Sequence, residues 1–145
     1  WPLARPPTAT ATATSAAFAP RTVPVPQELW TSEHARDSYA FSIRDPLERY
    51  EYVNSAARPP APGADSVVDL HYQTLASAPV VLDAVLPTLR GRTVWVVTGT
   101  GHHRGGHQAE GVLFASVREY LTVRRVPFEV GKDANGFLGC FRIRL

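Results

Sequence analysis

Two hydrophobic periods organise the second half of the chain. Val67–Leu70 is a short apolar run that predicts a buried strand. From Ala76 to Leu89, the residues Leu82, Val85, Leu86 and Leu89 fall on one helical face. Pro79 fits the first turn of that helix, and Pro87 kinks or ends it. Thr93–Val97 (TVWVV) predicts a second strand from its β-branched and aromatic content. A helix from about Ala109 to Arg125 turns Leu113, Val117, Tyr120 and Leu121 inward and stops at Pro127. Phe128–Gly131 and Phe137–Leu145 then pair as a hairpin across Asp133-Ala134-Asn135-Gly136. The order is βαβαββ, with the first two strands parallel across a right-handed helical crossover. Residues 66–145 are thus expected to form an α+β, two-layer domain with a mixed four-stranded sheet.

The pattern changes before residue 66. Asp45 followed by Pro46 is a helix start, and Leu47, Tyr50 and Val53 recur at helical spacing after it. Glu33–Ile43 predicts a shorter helix capped by Ser32. With Trp30, Tyr39, Phe41, Tyr50 and Tyr52, residues 27–57 read as an aromatic-rich helical arm that packs on the following domain or on a partner. Residues 58–65 have the composition of a linker. Residues 1–26 show no hydrophobic period and no acid, and Pro, Ala and Thr dominate them. Such a stretch reads as an extended tail without a core of its own. A protein or RNA surface that holds residues 1–57 is therefore expected, with Trp1, Arg5 and Phe18 as anchors.

Composition narrows the picture further. A chain of 145 residues holds one full-sized domain. A single cysteine excludes an internal disulfide scaffold and suits a reducing compartment. No apolar run approaches 18 residues, so no membrane span is expected. The net charge of +2 is unevenly placed. Residues 1–64 are neutral, whereas residues 65–145 hold nine basic against seven acidic residues and four of the five histidines. Arg outnumbers Lys 14 to one, and methionine is absent, which suggests a removed leader or a trimmed chain. Together with the acid-poor start, this suggests a mitochondrial setting, with the cytoplasm as the alternative.

Two constellations carry chemistry. In Asp69-Leu70-His71, residues two apart on a strand share a face, so an acid stands beside a histidine at a strand's carboxyl end. An acid in that position fixes the imidazole tautomer and raises its basicity. The second is Thr98-Gly99-Thr100-Gly101-His102-His103-Arg104, continuing through Gly105-Gly106 to His107, between a strand and a helix. Closely spaced glycines turn backbone amides toward an anion, and His102, His103, Arg104 and His107 add donors. The run has neither a Walker lysine nor a dinucleotide-binding spacing, and its histidines are poorly spaced for zinc, so no cofactor and no metal are expected. Parallel pairing of the two strands brings Asp69 and His71 beside the glycine turn, the outline of a phosphodiester site. Arg142 and Arg144 share one strand face and would extend the phosphate track if that face looks toward the groove.

The order V-V-D-L-H, helix, strand, T-G-T-G-H-H, helix, hairpin resembles the Smr (small MutS-related) domain, over residues 66–145. That family carries an L-D-x-H motif on its first strand and an [HT]-G-x-G motif after its second. The resemblance is to the eukaryotic stand-alone branch. It implies a fold like the C-terminal domain of bacterial translation initiation factor 3 and binding of DNA or RNA. Endonuclease activity occurs in many members, some of which cut mRNA at stalled ribosomes. By residue, it carries over to Asp69 and His71 and to Gly99 and Gly101. Two positions differ: Thr100 stands where many members have Lys or Arg, and Tyr72 where Gly is usual.

The expectation is an RNA-binding protein, part of or acting on a ribonucleoprotein such as an organellar ribosome, non-catalytic or weakly nucleolytic on rRNA or mRNA. The alternative is a metal-independent RNA endonuclease that uses Asp69 and His71. A third reading is a DNA nickase, which nothing in the chain supports directly.

Overall fold

The computed structural model describes residues 20–26, 38–55, 65–99, 111–132, 136 and 138–145. Their elements run β1 (Thr22–Pro24), α1 (Ser38–Ser42), α2 (Pro46–Ser55), β2 (Ser66–Asp69), α3 (Ser77–Val85), β3 (Thr93–Val97), α4 (Val112–Val123), β4 (Phe128–Lys132) and β5 (Leu138–Arg144). A 3₁₀ turn, Leu86–Leu89, extends α3. Pro87 accounts for the change of helix type, because it has no N–H to donate to the carbonyl four residues back. None of these helices is long and apolar enough to cross a membrane.

The architecture is α+β around one open, mixed sheet of order β1-β4-β5-β3-β2. β2 and β3 are parallel, with Asp69 beside Val97. β5 runs antiparallel to both β3 and β4. The sheet has five strands among the described residues, not four. The fifth comes from the stretch read as tail: β1 pairs in parallel with β4, placing Val23 beside Gly131. Val130 donates its N–H to the Arg21 carbonyl at 2.7 Å, and Val25 donates to the Lys132 carbonyl at 3.2 Å. Pro24 lies between these contacts, where a missing N–H costs nothing on an edge strand. Part of the segment expected to need a partner is thus held by the chain itself.

The helices cover one sheet face. Val68, Leu70, Val94, Val96, Phe141 and Ile143 meet Leu82 from α3 and Phe114, Val117 and Leu121 from α4 there. Phe114 and Phe141 stack at 4.3 Å, at the centre of this core. Leu113, expected inward, is only half buried, and Phe114 takes the central place. The opposite face carries a second apolar cluster of Val23, Val25, Trp95, Val97 and Cys140. Gly131 is required in it, because a Cβ there would collide with Cys140 Sγ and come within 2.8 Å of Val25 Cγ2. At the rim, Tyr120 donates to Asp83 Oδ1 at 2.5 Å. Its burial, with that hydrogen bond and the Asp83 charge, pushes its hydroxyl pKa up to about 12.

Residues 38–55 of the expected arm pack on their own domain. Asp45 Oδ2 caps α2 by accepting from the Glu48 N–H at 2.9 Å, as its position before Pro46 predicts. The buried residues of α2 are Arg49 and Val53, and Tyr50 packs against the main core. The other part of the expected first helix, residues 33–37, lies outside the described residues, as do the Asp133-Ala134-Asn135 turn and the start of the helix at Ala109.

Candidate functional site

The site begins where β2 stops. The strand ends at Asp69, one residue earlier than its apolar run predicts, and Leu70 still donates to the Val97 carbonyl at 2.8 Å. Leu70 is fully buried on the helix side, so Asp69 and His71 project to the other side. Asp69 Oδ1 accepts two bonds from His71, one from the backbone N–H at 3.0 Å and one from ring Nδ1 at 2.5 Å. The carboxylate therefore closes the turn and orients the imidazole at once. Because a carboxylate oxygen accepts, Nδ1 carries a proton, and in the neutral ring the lone pair is then on Nε2.

Nε2 in turn lies against Gly99. That residue has φ of +82°, and a Cβ placed on it would meet His71 Nε2 at 3.0 Å. Glycine is needed here twice, for the left-handed backbone and for the close approach of the imidazole. A β-bulge holds the turn in place. The pairing of β4 and β5 shifts between Gly131 and Lys132, opposite Cys140 and Leu138, which leaves Gly139 out of register. The Gly139 carbonyl accepts from the N–H of Thr98 at 2.9 Å, the N–H of Gly99 at 3.1 Å and the Thr98 hydroxyl at 3.1 Å. Gly99→Ala is expected to lower stability by about 1–2 kcal/mol through its left-handed backbone and to push the imidazole aside. A fall in the urea midpoint together with shifted His71 ring resonances checks this; an unchanged midpoint and spectrum would refute it.

A third group in the site has no signature in the sequence. Asn54, near the end of α2, accepts from the Asp69 N–H through Oδ1 at 3.0 Å and donates from Nδ2 to the Asp69 carbonyl at 3.0 Å. One side-chain amide thus satisfies both backbone groups that Asp69 presents on the outer edge of β2, as a neighbouring strand would. Nearby, burial together with the Asp69 charge pushes the Tyr50 hydroxyl pKa up to about 12.

The loop after His71 is equally well tied. Gln73 is buried, donates to the Pro46 carbonyl at 3.2 Å, and accepts from Arg49 at 3.4 Å and from the Ser77 hydroxyl at 2.6 Å. Thr74 and Ser77 exchange reciprocal bonds at the start of α3.

Asp69, His71, Thr98 and Gly99 thus come together as their motifs predict. Thr100, Gly101, His102, His103, Arg104 and His107 lie outside the described residues. Arg142 and Arg144 are on the same sheet face as Asp69 but farther along it. Arg142 stands opposite Trp95, and Arg144 opposite Thr93. Thr93 is four residues from Val97, so Arg144 is roughly 13 Å along the strand from the site. Arg142 Nε lies 3.7 Å from Glu129 Oε1, and its guanidinium is 5.9 Å from the Trp95 ring centroid. These two residues make no direct contact with the acid–histidine pair; a phosphate track through them needs a ligand that spans the sheet.

No protein-family model, curated protein or solved structure matches this chain.

Proposed function

We propose that the protein binds RNA at the carboxyl ends of β2 and β3 and engages a phosphodiester there with Asp69 and His71. The observation that carries this reading is His71 Nε2, its lone pair directed by the Nδ1–Asp69 bond, set against the Gly99 turn. Nε2 is positioned to take a proton from a 2′-hydroxyl or a water as that oxygen attacks phosphorus. Backbone amides of the glycine run and Arg104 would meet the charge that develops on the phosphoryl oxygens. The motif order resembling the Smr domain supports the same reading. It also supports the finer fold assignment, to the kind of domain found at the C-terminus of bacterial translation initiation factor 3. None of these steps calls on a metal.

A second reading keeps the RNA and drops the turnover, as in a resident of a ribonucleoprotein such as an organellar ribosome. Thr100, at a position where many Smr domains carry Lys or Arg, favours it. The acid-poor residues 1–26 support a mitochondrial site of action in either case.

The test uses the full chain with 5′-labelled structured RNA and the matching DNA, in EDTA. RNA is expected to be retained in preference to DNA, with log affinity falling linearly with log salt. Cleavage by the 2′-hydroxyl leaves 2′,3′-cyclic phosphate ends, and cleavage by water does not. Equal retention of DNA, or no retention of RNA at low salt, overturns the proposal.

A further inference from the structure

We infer that exposed aromatic rings beside His71 form a stacking ledge for unpaired bases of a single-stranded RNA segment flanking the phosphodiester. This rests on the reading that the site takes RNA. Phe41 is 68% exposed and Tyr39 60%, both on the five-residue helix α1, and Tyr52 on α2 is 38% exposed. Exposed rings that cluster beside a polar site are a mark of a ligand-binding surface. They are also ordered. Tyr39 packs edge-on against Tyr52 at 5.1 Å, and Phe41 against Tyr72 at 4.6 Å. The Tyr72 ring lies 6.4 Å from the imidazole of His71, so the Phe41–Tyr72 pair adjoins the candidate site, and Tyr39 with Tyr52 forms a separate pair on the same helical hairpin.

Tyr72 adds a second, independent observation. Its φ is +70°, a conformation that glycine adopts freely and a tyrosine only at a cost. The chain holds a strained tyrosine next to the acid–histidine pair, and the ring so placed meets Phe41. Strain of this kind persists at binding sites, where the side chain serves the ligand.

Charge points to bases rather than phosphates as what the ledge contacts. Residues 38–55 contain Arg44 and Arg49 against Asp45, Glu48 and Glu51, and the Arg49 guanidinium is turned inward. Ring stacking tolerates any base and draws little on ionic attraction. Anchoring of α2 to β2 through Asn54 fixes the rings relative to His71 before RNA arrives.

The experiment titrates the full chain with a single-stranded oligoribonucleotide carrying 2-aminopurine, across a salt series. Wild type is expected to bind and to quench the 2-aminopurine by stacking. Phe41→Ala is expected to bind about tenfold more weakly with an unchanged salt slope, and Phe41→Trp to restore affinity. Tyr72→Gly should weaken binding in the same way while its melting temperature stays near that of wild type, because the left-handed strain is relieved. If wild type binds but these variants bind as well as it does, the ledge is refuted and RNA binding stands. If wild type binds no RNA, the underlying reading fails and the ledge with it.

Discussion

His71→Ala is expected to lower the rate of RNA cleavage by about 10²–10⁴-fold, with RNA affinity and melting temperature close to those of wild type. On the proposed reading the rate falls because the lone pair at Nε2 is lost, and with it the group that would accept the proton from the attacking oxygen. Affinity would hold because the other proposed RNA contacts, in the glycine turn, the aromatic rings and the basic residues, do not involve the imidazole. Stability should fall little because the imidazole, although largely covered, lies outside the two apolar clusters, and Asp69 Oδ1 keeps its bond from the backbone N–H of residue 71. Asp69→Asn is the informative companion. Its amide oxygen can keep both bonds that Asp69 Oδ1 accepts from His71, so the ring keeps its tautomer while the negative charge that favours the imidazolium is lost. Cleavage should therefore fall further in His71→Ala than in Asp69→Asn, measured as initial rate on labelled RNA under saturating enzyme. Cutting by His71→Ala at the wild-type rate would remove His71 from the chemistry.

The parts of this site that were legible are those whose signal is local. Val-Val-Asp-Leu-His reads as a strand end that carries an acid and a histidine, and the structure joins those two side chains through Nδ1. TVWVV followed by Thr98-Gly99 reads as a strand and a turn, and Gly99 has the left-handed backbone that only its lack of a Cβ makes inexpensive. The hairpin places Glu129 opposite Arg142, and this explains why that arginine pairs within the sheet. What stayed hidden depends on distant partners. Thr22-Val23-Pro24 contains a proline, lies between Pro20 and Pro26 and has only three residues, too short for a period; it becomes a strand because β4 offers a free edge and Gly131 leaves room for Val25. Asn54 looks like an ordinary helix-end residue; only the packing of α2 beside β2 turns its amide toward Asp69. Leu113, read as inward, does pack against the core but only half buried, and Phe114 takes the central place because the most buried stripe of the helix runs through Phe114, Val117 and Leu121.

Arg49→Ala is expected to cost about 3 kcal/mol of stability, the larger part of it from hydrogen bonds made by a charged group. Arg49 is 9% exposed, and its guanidinium donates to the Ile43 carbonyl at 3.0 Å and 2.6 Å and to Gln73 at 3.4 Å. Those bonds tie the turn between α1 and α2 to the loop that follows His71. Alanine removes the donor and leaves the half-buried Ile43 carbonyl and the buried Gln73 side chain short of a partner, the expensive way to lose a hydrogen bond. The same change should reach the chemistry without touching it. Loosening α2 frees Asn54 from the Asp69 backbone, and Gln73 loses one of the contacts that fix the His71 loop. Cleavage should then fall along with the urea midpoint, whereas in His71→Ala it falls alone. Arg49→Lys separates charge from geometry: an ammonium keeps the positive charge but cannot span Ile43 and Gln73 with a planar fork, so it should recover only part of the loss. A urea midpoint for Arg49→Ala equal to wild type would mean that the arm is held by its apolar contacts, Val53 and Tyr50, and that its polar bonds contribute nothing net.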